Sequence, residues 1–125
     1  MIMIMNTRQY ITPEKRKIIY EKFNGHCAYC GKEIEYKDMQ VDHLIPLRVG
    51  GDNDIKNLMP SCRLCNHYKR ANSLEGWRKM IEEIPFKLKR NSYIYKVGLQ
   101  FGNVITNYKR IEFYFEEVER LKRGE

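Results

Sequence analysis

No stretch of the 125 residues is apolar for long enough to cross a membrane, and Met1–Met5 is too short for the core of a secretory signal. No repeat or low-complexity segment appears, so the chain reads as one small domain over residues 1–125, expected to be cytoplasmic. Cysteine is scarce and confined. All four residues lie in two Cys-x-x-Cys pairs, Cys27/Cys30 and Cys62/Cys65, and none is left over. In a reducing compartment paired thiols favour a metal over a disulfide, and two such pairs suit tetrahedral zinc. A disulfide-stapled secreted domain is the alternative that thiol counting would detect.

Negative charge is the scarcer sign: 16 Asp/Glu stand against 23 Lys/Arg, a formal net charge of +7. The excess is local. Residues 63–90 carry eight Lys/Arg against three Asp/Glu, so +5 of the +7 follows the second cysteine pair. Phosphate backbones reward such concentration through counterion release, and a solvated basic face would read the same way.

Thr12-Pro13 pairs an N-cap with a favoured first helical residue. This predicts a helix to about Phe23, stopped by Gly25, with Ile19 and Phe23 on its buried face. Met39–Leu44 reads as a strand, residues 46–54 as a Gly50-Gly51 loop, Asn57–Met59 as a returning strand, and Cys62–Arg70 as a short helix. Asn72 and Glu75 form an expected capping box for a helix with the stripe Leu74, Trp77, Met80, Ile81 and Ile84, ended by Pro85. Residues 92–101 alternate like a strand, yet Ser92 can cap a helix with Ile94, Val97 and Phe101 inside; the helix is preferred. A last strand is expected from Ile111, turning Ile111, Phe113 and Phe115 inward, before a charged tail.

Between the cysteine pairs lies a second pattern. Asp42-His43 is followed after fourteen residues by Asn57 and nine later by Asn66. Together with Cys27-Ala28-Tyr29-Cys30-Gly31, Val41–Leu47, Gly50-Gly51, Asn57-Leu58 and Cys62-Arg63-Leu64-Cys65-Asn66-x-x-Lys69, it resembles the HNH endonucleases, members of the ββα-metal or His-Me finger nucleases. The resemblance covers roughly residues 25–70. It implies an α+β fold: a ββα-metal finger flanked by two zinc knuckles, with an extension over about residues 72–125 that adds helices and a C-terminal strand.

The activity implied is metal-dependent hydrolysis of DNA, leaving a 5′-phosphate and a 3′-hydroxyl. Such chemistry needs a base for water and positive charge on the phosphate. His43 is the candidate base, since a neutral imidazole takes a proton near neutral pH. By the resemblance, Asp42 and Asn66 hold catalytic magnesium or manganese, a choice that suits hard oxygen donors. Cys27, Cys30, Cys62 and Cys65 would hold structural zinc, and Asn57 would tie the loop that fixes the histidine. Asp42 and His43 are neighbours on a strand, so local bending is implied if both serve one site. His67 also offers a metal ligand, but a helix turns about 100° per residue, and Asn66 matches the family's position. His67, Lys69, Arg70 and, more weakly, Arg48 are then candidates for DNA phosphates. The rival reading is a zinc-ribbon DNA-binding module without catalysis. Monomer and homodimer are both compatible with the sequence.

Overall fold

The structure, a computed structural model, describes Tyr10–Glu125. Met1–Met5 lies outside the described residues. In chain order the elements are α1 (Pro13–Glu21), β1 (Gln40–His43), β2 (Leu58–Ser61), α2 (Arg63–Lys69), α3 (Leu74–Glu82), α4 (Ile84–Asn91), α5 (Tyr93–Gln100) and α6 (Tyr114–Lys122). Short 3-10 turns lie at Tyr36–Asp38, Leu47–Val49 and Ile55–Asn57. The fold is thus a small α+β one, with six helices and a single two-stranded antiparallel sheet among the described residues. None of these helices is long and apolar enough to cross a membrane. The chain divides into two compact units: residues up to Leu74 together with Glu112–Glu125, and Glu75–Ile111.

In the first unit, β1 and β2 pair in the register Gln40 with Ser61, Val41 with Pro60, Asp42 with Met59, and His43 with Leu58. The returning strand therefore starts one residue later than expected and runs through Pro60. A two-stranded sheet leaves the outer edge of each strand unpaired, and proline is tolerated on such an edge. α1 opens as the sequence dictates: Thr12 accepts the Lys15 N–H, and Pro13 begins the helix. Ile19 is completely buried, whereas Phe23 lies past the helix end and is half-buried. Side chains of α1 and its C-cap then brace the finger. Arg16 donates to the Tyr36 and Met39 carbonyls, Tyr20 to Ile34, and Lys22 to Ile55 and Leu58, the last two at 2.6 Å. These carbonyls lie in loops, in the 3-10 turns or, for Leu58, at the start of β2, and such groups are costly to leave unpaired when buried.

The expected C-terminal strand is a helix. α6 starts at Tyr114 after an extended Phe113, and the Glu116 side chain accepts the Phe113 N–H at the helix start. The inward pair was right for another reason. Phe113 and Phe115 are buried against Tyr29, with ring centroids 5.7 and 6.2 Å away, and the Tyr114 and Phe115 N–H groups donate to the Tyr29 and Ala28 carbonyls. Buried rings at alternate positions mimic a strand, and the Glu116 cap then decides the helix.

The second unit is helical. α3 begins at Leu74, so Asn72 is not its cap; the Asn72 side chain donates back to the Lys69 carbonyl instead. Trp77 is buried, and Pro85 opens α4 rather than only ending α3, because its missing N–H costs nothing in a first turn. Ser92 caps α5 by accepting the Tyr95 N–H. The helix reading of residues 92–101 holds, but Ile94, Val97 and Phe101 are exposed rather than inside.

Candidate active site

Three polypeptide segments converge on one cleft of about 450 Å³, bordered by Asp42, His43, Pro46, Leu47, Arg48, Asn66, His67, Arg70 and Ala71. β1 brings Asp42 and His43, the turn after it brings Arg48, and α2 brings Asn66, His67 and Arg70. The bend at Leu44–Ile45 follows directly on His43. Neighbouring residues of one strand thereby border one cleft.

The loop between the strands is built around Asn57. Its Oδ1 accepts the Ile45 N–H at 2.8 Å, while Nδ2 donates to the Ile45 and Asp52 carbonyls at 3.0 and 2.9 Å. The Leu44 N–H donates to the Asn57 carbonyl. Asn57 is buried and does not border the cleft. Gly51 is required by space, since a Cβ there would lie 1.8 Å from the Ile45 oxygen. Gly50 is required by its backbone, with φ at +98°.

His43 is 6% exposed, and its Nε2 lies 2.8 Å from Asn53 Oδ1. An amide oxygen only accepts, so this contact puts the proton on Nε2 and leaves the Nδ1 lone pair available. Asn53 was missed by sequence reasoning. It sits in an Asp-Asn-Asp run whose composition says only loop, and nothing in the spacing separates it from Asp52 or Asp54.

Asp42 is 2% exposed, and its Oδ2 is doubly held. The Tyr29 hydroxyl donates to it at 2.5 Å, and Lys69 Nζ lies 2.9 Å away. No hydrogen bond from the described residues reaches Oδ1. Burial, and then the Asp42 charge, push the Tyr29 phenol well above its ordinary value, so it remains a donor. Lys69 departs from expectation. It is completely buried, with Nζ also donating to the His43 carbonyl at 2.9 Å, and it presents no charge to a phosphate in solvent. Residues four apart share a helix face, so Lys69 follows buried Cys65 inward, and Arg70 follows Asn66 towards the cleft.

The cleft's other basic side chains are accessible. Arg70 and His67 are exposed, and Arg70 ends α2 at φ +51° and ψ −132°, a conformation that costs a non-glycine residue energy. Arg48 is exposed, but its Nε and one terminal nitrogen already donate to the Ala71 carbonyl.

The four cysteines come together in a cluster of their own. Their sulfurs all lie within 4.8 Å of one another, with Cys30 and Cys62 at 3.9 Å. Tetrahedral zinc with sulfur ligands at about 2.3 Å requires sulfurs roughly 3.8 Å apart, so the cluster has the size a metal ion needs. The bond shared with Cys65 holds the Cys27 thiol down at about 4 and raises its partner, while burial lifts Cys30 to about 11. Thiols crowded in this way cannot all ionise without a cation among them.

The family model described as HNH endonuclease matches residues 27–82. The match spans a little under half of the chain, and this segment is similar to the HNH endonucleases. Its Asp42, His43, Asn57 and Asn66 and both cysteine pairs lie inside the matched range. A CRISPR-associated endonuclease Cas9 of Corynebacterium diphtheriae is 33% identical over 60 residues, which covers 47% of this chain and 6% of that protein. YoqL, an SPbeta prophage-derived Bacillus subtilis protein named as an HNH endonuclease, is 33% identical over 69 residues, covering 44% of this chain and 27% of that one. The HNH segment therefore corresponds to about a quarter of YoqL at most, and to far less of Cas9. Among solved structures, the Type II-C Cas9 enzyme from Actinomyces naeslundii superposes with a TM-score of 0.50 at 23% identity, over 86% of this chain and 14% of that chain. That likeness concerns the fold alone.

Proposed function

We propose that this chain is a metal-dependent endonuclease that hydrolyses DNA phosphodiester bonds at the cleft between β1 and α2. The observation that carries the reading is convergence: Asp42, His43 and Asn66, scattered in sequence, border one cleft whose rim bears Arg48, His67 and Arg70. In this reading the Nδ1 lone pair of His43 takes the proton of the attacking water. Asn53 holds the opposite ring nitrogen and so keeps the imidazole in the tautomer that a base needs. Asn57 ties the backbone that follows His43 to the loop, and its removal should reduce activity indirectly.

The donor set suits a hard divalent cation. The oxygen of Asp42 without a hydrogen bond and the amide oxygen of Asn66 both serve magnesium or manganese, and two protein ligands leave room for water and substrate oxygens. Such an ion would supply positive charge to the phosphate and to the departing 3′ oxygen. Arg70 and His67, with the unspent guanidinium N–H groups of Arg48, are suited to flanking phosphates; Lys69 is withdrawn from that role because it is buried. Structural zinc on Cys27, Cys30, Cys62 and Cys65 would clamp the two ends of the finger.

The products expected are a 5′-phosphate and a 3′-hydroxyl. End-labelled duplex treated with Asp42→Ala, Asn66→Ala and parent protein tests the reading. Parent cleavage in magnesium or manganese should give ends that a ligase rejoins, and each variant should bind DNA without cutting it. Equal cutting by both variants would remove the cation site. Binding without cutting by the parent, under either metal, would favour a zinc-ribbon binding module.

A further inference from the structure

The Asp42 carboxylate is held from behind by two groups that no substrate would touch. Tyr29 stands between Cys27 and Cys30, inside the first knuckle, and its hydroxyl reaches Asp42 Oδ2 at 2.5 Å. Lys69 reaches the same oxygen at 2.9 Å from the last turn of α2, and it also holds the His43 carbonyl. Tyr29 and Lys69 are both nearly or fully buried, and the Tyr29 ring is fixed by Phe113 and Phe115. Both donors fall on Oδ2, so Oδ1 is the oxygen left for a ligand at the cleft.

We propose that Tyr29, seconded by Lys69, is a positioning residue that orients Asp42 as a one-oxygen cation ligand and thereby links the cysteine cluster to the catalytic cleft. The proposal rests on the nuclease reading for the cation and on the hydrogen bonds above for the linkage. A carboxylate with both oxygens free could rotate, or grip a cation with both. Fixing one oxygen removes that freedom before the ion arrives. The linkage also gives the cysteine cluster a second role besides holding the finger together. A knuckle that shifts by a fraction of an ångström carries Tyr29 with it, and Asp42 loses its orientation while the fold persists.

The test is Tyr29→Phe, which deletes one hydroxyl and keeps the ring. In zinc-loaded protein on a His43→Ala background, manganese binding is read by electron paramagnetic resonance, beside zinc content and melting temperature, with Asp42→Ala as reference. Tyr29→Phe should retain zinc and melt close to the parent, yet bind manganese about 10- to 100-fold more weakly, the usual effect of losing a group that orients a ligand. Manganese affinity within about twofold of the parent, in a variant that keeps its zinc, would overturn the proposal while leaving the cation site intact. If Asp42→Ala binds manganese as well as the parent does, the cation reading itself fails and takes the proposal with it. Lys69→Gln, which keeps N–H donors without the charge, is the second variant should Tyr29→Phe lose zinc. Carboxyl carbon NMR of Asp42 reads the linkage without any added ion, and a signal unmoved by either substitution would also overturn it.

Discussion

Replacing Lys69 by methionine separates the two roles that residue has been given. At 2.9 Å, and with an effective dielectric constant of about 20, the Lys69–Asp42 attraction is roughly 6 kcal/mol before the cost of taking both charges out of water. That cost offsets much of it, and the pair's net contribution is modest. Removing one partner is a different matter, because Asp42 stays buried without its counter-ion and the His43 carbonyl loses a donor. Lys69→Met should therefore destabilise the first unit by about 3–5 kcal/mol, read by urea unfolding with zinc saturating. Adding Asp42→Asn should return most of that loss, since no unpaired charge then remains. A lysine on the surface that gripped phosphate would behave in the opposite way, with stability changed by less than about 0.5 kcal/mol and DNA binding weakened. A single variant within about 1 kcal/mol of the parent, or a double variant as unstable as the two losses summed, would refute the buried pairing.

Other perturbations address the remaining parts. Stripping zinc should unfold the first unit, because binding free energies of about 10–16 kcal/mol for such sites match or exceed the whole stability of a small domain; circular dichroism with a chelator, beside thiol counting, checks it. Arg70→Gly should relieve the strained end of α2 and stabilise the fold by about 1 kcal/mol in thermal melts, while reducing the salt dependence of DNA binding by about one charge. Asn53→Ala should slow cleavage about tenfold by releasing the His43 tautomer, with the imidazole nitrogen shifts at high pH moving towards a mixture of the two neutral forms.

The finger was legible because each of its signals is local. Thr12-Pro13, Gly50-Gly51 and the cysteine spacings state turns, caps and ligand pairs that no distant contact overrides. The C-terminal strand failed at a boundary: the burial of Phe113 and Phe115 was readable, but the capping role of Glu116 outweighed alternation over only three positions. Lys69 was misread although the sequence contained the answer. If Cys65 faces a cluster within the finger, a residue one turn later on the same face is buried too, and a buried lysine needs a carboxylate. Asn53 and Tyr29 lay beyond reach for a different reason. Each acts through a side-chain hydrogen bond across ten or more residues, between loops and knuckles whose approach is a product of the whole fold.

Cleavage of supercoiled plasmid by zinc-loaded parent and His43→Ala, in magnesium, manganese or EDTA, tests most directly whether His43 and its neighbours cut DNA. Nicked or linear product is expected with the parent in either metal, none in EDTA, and none with His43→Ala although it still binds DNA. Cleavage that survives His43→Ala would contradict that expectation.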